Sequence, residues 1–152
     1  MKKLIYIAAL LVASSAAFAQ SYYYKNQQKN DVSFQVAPQA FQYGDYTMYG
    51  FTIGMNVKEV LNINYFHTRD YVSKETFMDT RWAGLHAGLM FPLTDAVDFG
   101  PSVRLATLDG EFEKMYYGAE VRFDLAWNTK LSLEYGKGQE TAFGVKFIWN
   151  IY

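Results

Sequence analysis

Apolar and polar positions alternate with a period of two through most of the chain beyond residue 30. The clearest stretch runs from Met115 to Trp127. Met115, Tyr117, Ala119, Val121, Phe123, Leu125 and Trp127 share one parity, and Tyr116, Gly118, Glu120, Arg122 and Asp124 share the other. Successive side chains of a strand point to opposite faces, so this stretch predicts a strand with one apolar and one ionic face. Phe143, Val145, Phe147, Trp149 and Ile151 repeat the pattern against Ala142, Gly144, Lys146, Ile148 and Asn150. Tyr49, Phe51, Ile53, Met55 and Val57 do so against Gly50, Thr52, Gly54 and Asn56. Ala83, Leu85, Ala87, Leu89 and Phe91 oppose Trp82, Gly84, His86, Gly88 and Met90, while Val97, Phe99, Val103 and Leu105 oppose Asp98, Gly100, Ser102 and Arg104. Turn signals separate eight such stretches, at 31–41, 46–57, 59–68, 81–91, 96–107, 113–127, 129–137 and 140–151. Eight tilted antiparallel strands of about ten residues each are enough to close an up-and-down barrel across a hydrocarbon layer.

Alternation does not say which face is outside. A soluble barrel binding an apolar ligand would turn the apolar face inward. Glycine decides for the opposite arrangement: Gly50, Gly54, Gly84, Gly88, Gly100, Gly118, Gly136 and Gly144 all fall on the polar face. A water-exposed strand gains nothing from glycine, whereas the narrow lumen of an eight-stranded barrel needs small residues between its long ones. The apolar face is therefore expected in lipid. Aromatic residues on it gather at strand ends, with Tyr49, Tyr65, Tyr117, Tyr135 and Phe143 toward one rim and Phe91, Trp127 and Trp149 toward the other. Two such belts are expected at the two membrane interfaces. Pro38 and Pro101 fall inside expected strands, where a closed barrel has no edge to absorb a missing donor. A bulge or a break is expected at each.

Lys2 and Lys3 precede an apolar stretch from Leu4 to Val12 and the small-residue segment Ala17-Phe18-Ala19, the order of a secretory leader. Residues 1–19 are read as that leader, 20–30 as a polar arm, and 31–152 as the barrel. Loss of the leader takes the formal charge from −1 to −3, which leaves no basic footprint for nucleic acid. No cysteine is present, so stability has to come from packing and closure rather than disulfides.

Candidate chemistry lies on the polar face. Pairing the fifth, sixth and seventh strands around their turns sets Asp98 opposite Arg122 and Arg122 near Glu134, with Lys146 diagonal to Glu134. Arg104, Glu120, Asp124 and His86 surround them. Charges confined in a lumen must be paired, because desolvating one alone is costly, so Asp98, Arg104, Glu120, Arg122, Asp124, Glu134 and Lys146 are read as a structural ion-pair network. Short turns are expected at Val57-Lys58-Glu59, Pro92 to Asp95 and Asn128-Thr129-Lys130. Of the two histidines, His67 adjoins a loop without a serine beside it, and His86 faces the lumen among glycines. Neither forms a nucleophile–base pair in sequence. There is no histidine pair at metal-ligand spacing and no glycine-rich phosphate loop. No catalytic residue, metal or cofactor is assigned, and no enzymatic activity is expected.

In its leader and in the pattern of residues 31–152, the chain resembles the small eight-stranded outer-membrane barrels of the OmpA and OmpX type. The resemblance implies an outer-membrane location, contact with outer-membrane lipid, a lumen plugged by ion pairs, and insertion by the barrel-assembly machinery reading a terminal aromatic residue. Tyr152 matches that residue, although its parity is that of lumen-facing Lys146 and Asn150. The expected role is structural or surface interaction; the alternatives are a narrow channel for small solutes or ions, and the soluble ligand-binding barrel.

Overall fold

The computed structural model describes residues 32–71, 80–113, 115–126 and 128–152; the expected leader, the polar arm and Trp127 lie outside them. Ten strands follow in chain order: β1 (Val32–Tyr43), β2 (Tyr46–Val57), β3 (Leu61–Asp70), β4 (Arg81–Leu89), β5 (Phe91–Thr94), β6 (Val97–Leu108), β7 (Glu111–Phe112), β8 (Tyr116–Ala126), β9 (Thr129–Lys137) and β10 (Thr141–Ile151). Each pairs antiparallel with its sequence neighbour in the wall, and β1 pairs with β10 to close the ring. β4 and β5 are two lengths of one wall strand, and β7 extends the hairpin above β6. The molecule is thus an all-β, closed, eight-stranded antiparallel barrel. Closure gives every wall strand a partner on both sides, the one way a sheet can satisfy its backbone in lipid.

Pro101 explains why one expected strand becomes two. Gly88 pairs with Ser102 and Phe91 with Phe99 in the same register, but the pairs that would join Leu89 to Pro101 and Met90 to Gly100 are missing from the ladder. Proline has no N–H to donate, and the Met90 N–H instead donates to the Val60 carbonyl at 2.7 Å. Pro38 does the same on a smaller scale. The β1–β10 register is unchanged on either side of it, from Val36–Trp149 to Gln39–Lys146, with the intervening pairs lost.

The apolar parity faces outward and the polar parity inward. Phe34, Leu85, Tyr117 and Ile151 are each more than half exposed, whereas the inward Glu120, Arg122 and Glu134 are at most 1 % exposed. This is the reverse of the soluble ligand-binding barrel, whose apolar residues would line the interior. Tyr49, Tyr117, Tyr135 and Phe143 lie on the outward face toward the β1–β2 loop end, and Phe91 and Trp149 toward the end that holds the termini. Tyr65 departs from its expected rim position. It pairs with Ile53 and Leu85 at the middle of β3, because that strand runs to Asp70 instead of ending at residue 68. Tyr152 also departs from its expected lumen position: β10 ends at Ile151, and the tyrosine beyond it is 41 % exposed.

Tight turns join the walls. Between β2 and β3, Lys58 and Glu59 both take positive φ, 53° and 59°, and the Val60 N–H donates to the Val57 carbonyl at 3.0 Å. Such a turn matches strand twist but disfavours residues with a Cβ. Glu59→Gly should therefore stabilise the barrel by about 0.5–1 kcal/mol. A rise in urea midpoint on refolding in lipid vesicles would measure it; an unchanged midpoint would mean the turn is unstrained.

Candidate functional site

The inward side chains fill the lumen in layers. Nearest the β1–β2 loop end lies an apolar cluster of Phe41, Tyr43, Met48, Phe66, Trp82, Ala106, Tyr116 and Ala142. Trp82 is its hub, stacked on Tyr43 at 4.6 Å and edge-on to Phe66 at 4.8 Å. Small residues make room for these rings: Gly144 pairs with Phe41 across β10 and β1, and a Cβ on it would run into the Phe41 ring. The Tyr43 hydroxyl donates to Glu113 at 2.7 Å.

Arg104 links this layer to the ionic one below. Its guanidinium lies 4.4 Å from the ring centres of both Phe41 and Phe66, a cation–π arrangement. The same group forms two bonds to Glu134, from Nε at 3.0 Å and Nη2 at 2.6 Å. Lys146 bridges the carboxylates, with Nζ 2.9 Å from Glu120 Oε1 and 2.9 Å from Glu134 Oε2. Arg122 donates to Glu120 at 2.8 Å and, across the barrel, to the Asn62 carbonyl oxygen at 2.6 Å. Ser132 and Ser102 add hydroxyl bonds to Glu120 and Glu134. Two carboxylates are thus held by three cations from β6, β8 and β10. Short charge-assisted bonds of this kind are what make buried ions tolerable.

A second group lies toward the terminal end. Lys130 Nζ is 2.8 Å from Asp98 and 3.1 Å from Asp124, with Glu59 at 4.0 Å. Amide and hydroxyl pairs complete the interior, among them Gln35 with Asn150 at 2.8 Å and Thr52 with Gln39 at 2.8 Å. Between Arg122, Lys146, Gln35, Thr52 and Asn64 lies a cavity of about 10 Å³, room for about one water.

The network has a different wiring from the sequence expectation. Asp98 does face Arg122 in register, yet its carboxylate is taken by Lys130. Arg122 is set opposite Ser132, and Glu134 opposite Glu120, because the β8–β9 ladder shifts register between Asp124 and Ala126. Arg122 consequently reaches Glu120 and not Glu134. Lys130, expected at a turn, is a charged lumen residue that the expected network leaves out, and buried Asp70 at the end of β3 is another. The parity of Lys130 with Ser132 and Glu134 was the available signal.

His86, Glu120 and Glu134 bring an imidazole nitrogen and two carboxylate oxygens within 4.8 Å of one another. His86 Nε2 lies 3.4 Å from Glu120 and 3.7 Å from Glu134. The donor types suit a divalent cation, but Lys146 already lies between both carboxylates and the two arginines occupy their other sides. A dication there would meet three fixed positive charges. His67 lies on the outward face beside Phe51, ring centres 5.9 Å apart, far in register from His86.

No family model matches the chain, and neither does any curated protein. Solved structures do. A de novo designed transmembrane β-barrel superposes with a TM-score of 0.63 at 13% identity, over 82% of this chain and 98% of that one. The N-terminal β-barrel domain of Pseudomonas aeruginosa OprF gives 0.55 at 15% identity, over 82% and 100%. The Yersinia pestis outer membrane protein Ail, solved in a phospholipid bilayer nanodisc, gives 0.50 at 16% identity, over 78% and 99%. Closed wall, outward apolar face and filled polar lumen together with these likenesses give the chain the fold of the small eight-stranded outer-membrane β-barrels.

Proposed function

We propose that the chain is an integral outer-membrane barrel that acts through its outer wall and loop surface, in a structural or surface-interaction role, with its lumen closed by ion pairs. The observation that carries this reading is the pairing of Glu120 and Glu134 with Arg104, Arg122 and Lys146 in the lumen. Charge-assisted bonds across the described lumen, beside a cavity of about 10 Å³, support a closed lumen over an open one. The partners on this reading are outer-membrane lipid and, during insertion, the assembly machinery that reads Tyr152. No enzymatic step is assigned: Ser102 and Ser132 donate to Glu134 and Glu120 instead of to a histidine.

Two measurements test the reading. The cleaved protein should stay in the outer-membrane pellet through an alkaline carbonate wash, and release into the soluble fraction would overturn the membrane assignment. Reconstituted in planar bilayers, it should show no stepwise ion conductance; discrete openings would favour the narrow channel. The plug has its own prediction. Arg122→Ala removes the bonds to Glu120 and Asn62 but leaves Lys146 on Glu120, so it should lower stability by about 2 kcal/mol. An unchanged urea midpoint would count against a structural plug.

A further inference from the structure

The central layer of the lumen carries more positive charge than it balances. Arg104, Arg122 and Lys146 face two carboxylates, Glu120 and Glu134, and all five side chains are buried. His86, the other titratable group against them, leaves that surplus unchanged when neutral and enlarges it when protonated. The remaining buried lumen carboxylates lie elsewhere: Asp98 and Asp124 engage Lys130 toward the terminal end, and Asp70 ends β3 toward the loop end. Two of the three central cations are not fully used. Arg122 donates from Nε to Glu120 and from Nη1 to Asn62, while its Nη2 donates to no described residue. Lys146 has three N–H groups and two carboxylate oxygens beside it. These two side chains line the cavity of about 10 Å³. Of its neutral polar walls, Gln35 donates to Asn150 and Thr52 to Gln39, so the two cations set its charge.

Surplus charge in a low-dielectric interior is costly unless an opposite charge joins it. A space of about one water's size admits a monatomic anion and excludes phosphate or sulfate. We propose that the cavity is an anion site, which holds a single chloride between Arg122 and Lys146 and brings the central layer to neutrality. The ion is part of the plug, bound as the lumen closes around it. This inference rests on the closed-lumen reading.

The test is urea unfolding of the cleaved chain in phosphatidylcholine vesicles, with sodium chloride exchanged for sodium gluconate at constant ionic strength. One chloride bound only by the folded barrel raises the folding equilibrium constant about tenfold for each tenfold in chloride above its dissociation constant. Gluconate is too large for the cavity, and a midpoint indifferent to the exchange would overturn the proposal. Lys146→Met leaves Arg122 on Glu120 and Arg104 on Glu134, a balanced layer, so its midpoint should not respond to chloride. A response equal to the parent's would overturn the proposal as well. Ala37→Val keeps it falsifiable if Lys146→Met folds poorly. That substitution fills the cavity from the β1 wall with every charge in place, and should abolish the response; a response kept at the parent level would count against the site. A barrel that conducts no ions and ignores chloride defeats this inference alone, whereas stepwise conductance defeats the closed-lumen reading itself.

Discussion

Replacing Glu134 with alanine should remove about 3–5 kcal/mol of unfolding free energy, more than any other single change in the lumen. Arg104 would lose both of its carboxylate bonds, Lys146 one of its two, and Ser102 its acceptor. Arg104 cannot escape by deprotonating, and at 1 % exposure it cannot reach water. It would be left buried with only the Phe41, Phe66 and Trp82 rings about it. Urea unfolding in lipid vesicles, followed by tryptophan fluorescence, measures the loss, and Trp82 reports on the affected layer. Adding Arg104→Met to Glu134→Ala should recover most of the stability, since a buried ion pair is often replaceable by apolar side chains although half of one is not. A loss under about 1 kcal/mol for Glu134→Ala would mean that water enters the lumen freely, and the closed-lumen reading would fall with it.

The sequence made faces legible and left axial positions obscure. Parity alone separates Tyr117, Val121 and Phe123 from Glu120, Arg122 and Asp124, because it depends only on the period of a strand. Which lumen charge meets which depends on how far each strand is slid against its neighbour, and that is set by irregularities that parity does not record. The register shift between Asp124 and Ala126 moves Glu134 opposite Glu120 and sends Arg122 to Asn62, a residue 60 positions away on the other side of the barrel. Lys130 is legible by parity and lies in the expected stretch 129–137, which β9 matches, but its place beside the Asn128 turn kept it out of the expected network. Pro101 stands out in the sequence as a residue without a donor inside an expected strand. Its resolution, a wall strand broken opposite it with the register preserved, needed the neighbouring strand. Parity also places His86 and Glu120 around Glu134, but their distances depend on how β4 meets β8 through the interior.

The same irregular place in the wall should be the least tolerant of added volume. Gly100 faces the lumen beside Pro101, and a Cβ built on it would run into the carbonyl of Leu89, with the Met90 backbone also within 3.2 Å. Those are backbone atoms of the neighbouring wall, so no side-chain rotation relieves the clash. Gly144 differs, because the atoms in its way belong to the Phe41 ring, which can turn. At Gly100 the ladder lacks its Leu89–Pro101 and Met90–Gly100 pairs, whereas Gly50 and Gly84 show a similar close backbone approach within continuous ladders. Gly100→Ala should force the two walls apart at a cost of about 3 kcal/mol, and the displacement should carry to Asp98 and its bond with Lys130. The expected result is a folded fraction that falls sharply on refolding into vesicles, seen as loss of the compact band on unheated gel electrophoresis. Gly110→Ala is the control: its Cβ would meet nothing within 4 Å, but its φ of 90° is strained for alanine, so it should lose stability without losing closure. Equal folded fractions for Gly100→Ala and the parent would show that the wall yields at this point, and that its narrow gap is a consequence of the missing pairs instead of a requirement for closing the barrel.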